Sequence, residues 1–376
     1  MKINSRTYLL LLLYLFPIYG FSQPADSAIV KARAVIEAFI ERNQVPGLSI
    51  SVSIKGDMVW SEGFGYADLE HKIPVMPGKT KFRIGSVSKP VTASGIALLY
   101  QRGTISLDDT IQKYVPSFPK KRGPITIRQL TSHTAGIRHY HGDEFFMDKK
   151  YNTVTQGLAI FQEDTLLFVP GSEFRYSSYG WNLVSAVIEG ASKQNFLDFM
   201  RENIFVPLGM TNTLADYNDS IIAHRTQFYM YDEQGKVYNA QHVDNSYKWA
   251  GGGFLSTTED LIKFGNAHLK AGFLKRETLD TILCKQRTTA GKELAYGIGW
   301  RIKQDDKGRS WFGHRGGSVG GSTQFIIYKE AELVIAILTN VSKLKYENTH
   351  YRIADYFLKE FKAYDGQKIV PGYESK

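Results

Sequence analysis

Apolar and polar positions follow two periods along this chain. In "ADSAIVKARAVIEAFIERNQVPG" the apolar Ile29, Ile36, Phe39 and Ile40 recur at helical spacing, with Asp26 or Ser27 as a cap and Pro46-Gly47 as a stop. "LSISVSI" then alternates, which is the period of a strand with one buried face. "GD" at 56–57 signals a hairpin, and "MVWSEGFG" reads as the returning strand. The opening is therefore helix, strand, strand.

The middle of the chain has mostly the helical period. Val91 to Gln101 reads as one helix, with Gly103 just past its end as a C-cap. "ITIRQLTSH", "SSYGWNLVSAVIEGASK" and "NFLDFMRENIF" read as further helices. "STTEDLIKFGNAHLKAG" is another, with Thr257 and Asp260 spaced for a capping box. Short β-rich runs return near the end, in "YGIGWRI", "RSWFGHRG", "STQFIIY" and "ELVIAILTN", and "YRIADYFLKEFKAY" closes as an amphipathic helix. Strands at both ends around a helical middle predict one sheet built from both termini, with a helical lobe inserted. The α/β lobe is expected over about 24–85 and 290–376, and the helical lobe over about 86–289. A cleft between two such lobes is where a site is expected.

Residues 1–22, "MKINSRTYLLLLLYLFPIYGFS", break the pattern. Lys2 and Arg6 make a positive start, Leu9 to Tyr19 is apolar but short for a bilayer, and Gly20 and Ser22 are small residues before Gln23. The segment reads as a signal peptide, with an uncleaved anchor as the alternative, and predicts export to the periplasm or the outside. No later stretch is long and apolar enough to span a membrane. The lack of a nearby cysteine argues against a lipoprotein anchor.

The formal net charge of the 376 residues is +9, or +7 without Lys2 and Arg6. The basic residues are dispersed and form no stripe with interleaved aromatics, so the charge reads as solvated surface and not as a nucleic-acid footprint. Cys284 is the single cysteine, so no intrachain disulfide can form and an exported fold must hold without one.

The candidate chemistry starts at "GSVSKPV". Ser86 precedes Lys89 by three residues at a turn entering an apolar helix, so both side chains share a face. A serine hydroxyl needs a base to become a nucleophile. A buried lysine, its pKa lowered by desolvation and a neighbouring cation, can be that base. Taken alone the stretch has an ordinary reading too, in which Ser88 caps a helix and Lys89 is solvated. Two other stretches add to it. "EFRYSSYGW" places Tyr176 in a loop just before a helix, and "WFGHRGGSVGGSTQ" places His314 before a glycine-rich turn entering a strand. Backbone amides on such a strand edge, with that of Ser86, can hold an oxyanion.

The order Ser86-Val87-Ser88-Lys89, Tyr176-Ser177-Ser178, His314-Arg315-Gly316 resembles the motif set of class C β-lactamases and penicillin-binding-protein-like serine hydrolases. "VPGLSISV", "LTSHTAGI", "VPGSEFRYSS", "IFVPLGMTNT", "GGGFLSTTEDL" and "YGIGW" resemble the same family, and the likeness spans about residues 28 to 362. "YVPSFPKK" and "SHTAGIRHY" are most similar to the subgroup of the animal mitochondrial serine β-lactamase-like protein. The resemblance implies an α/β (α+β) fold of the β-lactamase/transpeptidase type, with an antiparallel sheet flanked by helices and an inserted all-helical lobe. It implies Ser86 as nucleophile, Lys89 and Tyr176 as a coupled acid–base pair, and His314 in place of the third-motif lysine, binding a substrate carboxylate or tuning Tyr176. The amides of Ser86 and Gly317 would form the oxyanion hole, and Ser178, Gly316 and Ser318 would contact substrate. No metal and no organic cofactor is implied. The partner expected is a small peptide, ester or amide.

One departure is informative. The family's central motif ends in Asn, which binds a substrate amide and touches the lysine; here it ends in Ser178. With His314 in place of lysine, this favours peptidase or esterase chemistry over antibiotic breakdown. A true β-lactamase, a D-Ala carboxypeptidase, and a non-catalytic binding or self-assembling protein of the same fold are the alternatives. His133, His139, His141 and Asp143 crowd together without the frame of a metal site; His133 is expected to bond backbone near the site wall. Tyr140, Tyr151 and Trp249 sit in predicted loops that can line the cleft.

Overall fold

The computed structural model describes residues 24–367. The signal-peptide reading of 1–22 lies outside the described residues. α1 (Pro24–Asn43) leads into a hairpin of β1 (Gly47–Ile54) and β2 (Asp57–Asp68), edged by the short β3 (Ile73–Pro74). β4 (Phe82–Arg83) precedes a 3-10 turn, Gly85–Val87, that runs into α2 (Ser88–Gln101). Then follow α3 (Ile127–Thr131), α4 (Val154–Leu158), α5 (Ser178–Ser192), α6 (Phe196–Met200), β5 (Leu214–Ala215), β6 (Tyr229–Tyr231) and β7 (Val237–Asn239). α7 (Trp249–Gly252), β8 (Phe254–Ser256), α8 (Thr258–Asn266) and α9 (Arg276–Ile282) complete the insertion. The chain returns through β9 (Arg301–Gln304), β10 (Ser310–Ser318), β11 (Gly321–Tyr328) and β12 (Leu333–Thr339) to α10 (Thr349–Gln367).

One antiparallel sheet is built from both ends of the chain, in the order β3-β2-β1-β12-β11-β10-β9. The alternation in β1 explains its layers. Leu48, Ile50, Val52 and Ile54 join a core with Ala28, Ile36 and Phe39 of α1 and Ile353 and Phe357 of α10. The intervening serines face the other way, where Ser49 and Ser51 each lie 2.8 Å from Thr258 Oγ1 and Ser53 donates to Asn266 on α8. β12 alternates in the same manner, with Ile335 and Ile337 toward the termini and Ala336 and Leu338 toward the insertion. Each fully buried Leu or Ile contributes about 1.5–3 kcal/mol by leaving water.

Several local expectations shift. The hairpin turn is Lys55-Gly56, one residue earlier than the "GD" reading, because Ile54 pairs with Asp57 and both turn residues have positive φ. "ITIRQLTSH" is helical only over Ile127–Thr131, started by a Thr126–Gln129 capping box. The strand expected over "YGIGWRI" begins only at Arg301. Thr257 caps α8 through the Asp260 amide, but the Asp260 carboxylate turns away to the Asn212 amide and Thr213 Oγ1, so the box is half made. The insertion is not wholly helical. Its β8 and β5 form a small sheet with β4 from just before it, and β6 pairs with β7. Among the described residues no helix is long and apolar enough to cross a membrane.

Candidate active site

Ser86 stands half-buried in the 3-10 turn before α2. Gly85 has φ +50, and a Cβ there would lie 2.6 Å from Gly317 O and 2.7 Å from Gly317 N. Only glycine lets the turn reach this conformation and press β10 against the serine. Gly316 is equally enclosed, since its Cβ would meet Ile84 O at 2.0 Å. The Ser86 backbone and the Gly317 peptide therefore flank one point, on a cleft of about 310 Å³ between the sheet and the insertion.

Lys89 follows one helical turn later and is wholly buried. Its Nζ lies 3.0 Å from Ser86 Oγ and 3.1 Å from Ser178 Oγ, and donates to Gly251 O at 2.6 Å. Burial drives its pKa well below the usual lysine range, and the charges of Arg301 and Lys248 add to the effect. A neutral amine fits these three partners. One N–H goes to the Gly251 carbonyl, one to Ser178, and the lone pair faces the Ser86 hydroxyl. The plain helix-cap reading of this stretch does not hold, because Ser88 Oγ accepts from Phe254 N and no side chain caps α2.

Tyr176 leans over the pair. Lys89 Nζ is 4.9 Å from its ring centroid, and the Ser86 side chain acts on its phenol. Burial raises the phenol to about 12, against the lowering effect of Ser86. Two histidines hold the turn that carries it. His133 Nδ1 accepts the Ser177 amide and His139 Nδ1 accepts the Ser178 amide, each at 3.1 Å, so they serve the free N–H groups at the start of α5. Accepting at Nδ1 fixes both rings neutral with the proton on Nε2. Burial, then the Lys89 charge, lowers His139 to about 4. Its ring lines the cleft beside Tyr140 and Tyr176. Two of the residues in the crowded His–Asp stretch are thus backbone acceptors.

The remaining sequence candidates fall around the same point, with one correction. Ser178, Gly316, Gly317 and Ser318 line the cleft, and Ser318 Oγ is buried with no partner. Ser178 keeps the contact to the lysine that the family's Asn makes. His314 does not reach the cleft. It is 1% exposed, its Nδ1 donates to Arg315 O at 2.7 Å and its Nε2 accepts from Tyr296 OH at 2.9 Å. Burial, with Arg301 and Lys89 nearby, lowers its pKa well below the usual value. It is a neutral, fully bonded ring 6.1 Å from the Tyr176 ring, and it cannot offer a charge to a substrate carboxylate. Tyr140 does line the cleft, whereas Tyr151 and Trp249 are packed into the core of the insertion.

Among the cleft residues that the sequence alone does not mark as functional are His139, which it groups with possible ligands, and Lys248 and Arg301. Arg301 lies 5.5 Å from the Tyr176 ring, and its buried Nε has no partner. Nothing local marks these two cations; only their docking beside the motifs does.

The Beta-lactamase family model matches residues 32–357. The chain is 31% identical to the mitochondrial serine beta-lactamase-like protein LACTB of Bos taurus, over 89% of this chain and 80% of that protein. It is 30% identical to penicillin-binding protein 4* of Bacillus subtilis, over 86% of this chain and 73% of that one. Among solved structures, the octameric penicillin-binding protein homologue from Pyrococcus abyssi superposes with a TM-score of 0.76 at 27% identity, covering 89% of this chain and 77% of that chain.

Proposed function

The chain belongs to the β-lactamase family of serine hydrolases, and from that premise we propose an exported hydrolase that cleaves an amide or ester through an acyl-enzyme on Ser86, as a peptidase or esterase more than an antibiotic-degrading enzyme. The observation that carries the reading is the 3.0 Å approach of a wholly buried, charge-depleted Lys89 to Ser86 Oγ. Export rests on the positive, apolar and small-residue pattern of residues 1–22.

Neutral Lys89 takes the Ser86 proton as Oγ attacks the carbonyl carbon, leaving an ammonium already bonded to Gly251 O and Ser178 Oγ. The tetrahedral oxyanion is held by the Ser86 and Gly317 amides. Tyr176 gives its proton to the leaving group and is reprotonated from Lys89. In the second half a water attacks the ester, its proton passes to the Lys89–Tyr176 pair, and Ser86 Oγ recovers a proton on leaving. The pair titrates as a unit. Arg301, beside the Tyr176 ring, is the cation on the leaving-group side and takes the role that sequence gave to His314. Where the family's Asn would donate to the acyl amide, Ser178 is too short, and the Nε2–H of His139 is the donor on that wall.

Incubation with a fluorophosphonate and intact-mass measurement tests the nucleophile. One adduct is expected on the native chain and none on Ser86→Ala. No adduct on the native chain would favour a non-catalytic protein of this fold. Parallel turnover of p-nitrophenyl acetate, D-Ala-containing peptides and nitrocefin tests the substrate class; fast nitrocefin hydrolysis would overturn the preference against antibiotics.

A further inference from the structure

The two ends of the cleft are distinct, and β10 runs between them. At one end, Tyr176 and Arg301 line the cleft, with the guanidinium 5.5 Å from the tyrosine ring. At the other, Val319 just past the strand packs with Met230, Phe145 and Phe146. Gly317 lies between, packed against Gly85 beside Ser86. With Tyr176 serving the leaving group, the acyl part of a substrate extends toward the Val319 end. Here the inference rests on the proposed mechanism.

That acyl end contains Lys248. It is 3% exposed and lines the cleft. Its Nζ makes one hydrogen bond, to Phe145 O at 3.3 Å, and sits 4.7 Å from the Phe145 ring, 4.9 Å from Tyr247 and 5.7 Å from Tyr140. Aromatic faces offset part of the cost of burying an ammonium, but they leave its other N–H donors unused. Among the described residues no carboxylate pairs with it. The nearby Asp216 is bound by Arg83, Arg225 and Asn245, and Asp244 by Asn218 and the Ser246 amide. Burial, then the Arg83 charge, brings its pKa down to about 7. Asp216 and Asp244 act on it only at a distance, against that lowering; a buried cation without a directly bonded counter-charge is costly, and a ligand anion would supply one. Ser318, whose buried hydroxyl has no partner, lines the same cleft one residue before Val319.

We propose that Lys248 is a specificity-determining residue that binds a carboxylate carried on the acyl side of the substrate, so that the preferred acyl group is anionic.

Two esters with the same leaving group isolate this end: 4-nitrophenyl hydrogen adipate, whose acyl chain ends in a carboxylate, and 4-nitrophenyl hexanoate, whose chain ends in a methyl. The quantity read is the ratio of their kcat/KM values. In K248M that ratio is expected to fall about tenfold or more, the scale of one charge-assisted hydrogen bond, while K248R retains most of it. An unchanged ratio, or an equal loss of both esters in K248M, would overturn the proposal and assign Lys248 a structural role. A binding measurement needs no turnover. By calorimetry, N-methyladipamic acid is expected to bind S86A more tightly than S86A/K248M, and equal affinities would also overturn it. If the fluorophosphonate leaves Ser86 unlabelled, the acyl-enzyme reading fails by itself, and the calorimetry still decides the anion site.

Discussion

The carbonyl oxygen of Gly251 accepts a 2.6 Å hydrogen bond from Lys89 Nζ. A carbonyl can only accept, so one N–H of the amine is committed away from the serine whichever protonation state holds. The lone pair of the neutral form is what Ser86 requires. Because burial lowers the Lys89 pKa, the active form gains population as pH rises, and kcat/KM is expected to climb through an inflection well below the usual lysine value of about 10.4. Lys89→Met is expected to cost at least about a hundredfold in kcat, and Lys89→Arg not to restore it, since arginine stays protonated. A pH profile of p-nitrophenyl acetate hydrolysis checks both, and near-native turnover by Lys89→Met would refute the assigned role.

Arg301 and His314 differ in what they can offer a substrate. The imidazole is neutral and bonded on both nitrogens, whereas the guanidinium borders the cleft beside Tyr176. For a peptide ending in a free carboxylate, Arg301→Gln is expected to raise KM by about tenfold, the loss of one charge-assisted contact. A larger KM effect from His314→Gln would return the carboxylate to the histidine. Steady-state kinetics on both variants separates the two.

Gly85→Ala tests how closely the serine turn and β10 must approach. The new Cβ would stand 2.6 Å from Gly317 O, at a residue with φ +50. Overpacking of this kind costs about 1–3 kcal/mol, and a left-handed non-glycine residue about 1–2 more. A lowered melting temperature is expected together with at least about a tenfold slower fluorophosphonate labelling, because the displaced strand carries the Gly317 amide. Native labelling rates would show that this amide does not face the reacting carbonyl.

Acid should unfold the protein through its histidines. His268, hydrogen-bonded to Ser94 and wholly buried, and the cleft residue His139 both have pKa values lowered to about 4, mainly by burial. Their folded values lie below the unfolded value of about 6.5, so the unfolded chain binds more protons between the two. Stability is then complete above about pH 6.5 and lost as pH falls toward 4, with a slope of up to about 1.4 kcal/mol per pH unit for His268 and less for the partly exposed His139. Melting temperatures measured from pH 8 to 4 should be flat at first and then fall. A profile flat to pH 4 would mean that these rings are not buried neutral.

The chain's local periods carried a large part of this. "LSISVSI" set the two faces of β1, and the i, i+3 spacing of Ser86 and Lys89 put hydroxyl and amine on one side of a helix start, because both depend only on neighbours along the backbone. The glycine-rich turn after His314 likewise reads as a strand edge whose amides can hold an oxyanion, although its partner could not be read from the stretch. What tertiary structure decided was charge and access. His314 and Lys248 are both basic in sequence, yet tertiary packing buries the first, with Nε2 bonded to Tyr296 and Nδ1 to the adjacent Arg315 carbonyl, and leaves the second lining the cleft with donors to spare. The Ser177 and Ser178 amides find imidazoles some forty residues away in the chain. Desolvation and long-range pairing fix whether a side chain is charged and what it can reach, and neither is a property of a residue's sequence neighbours.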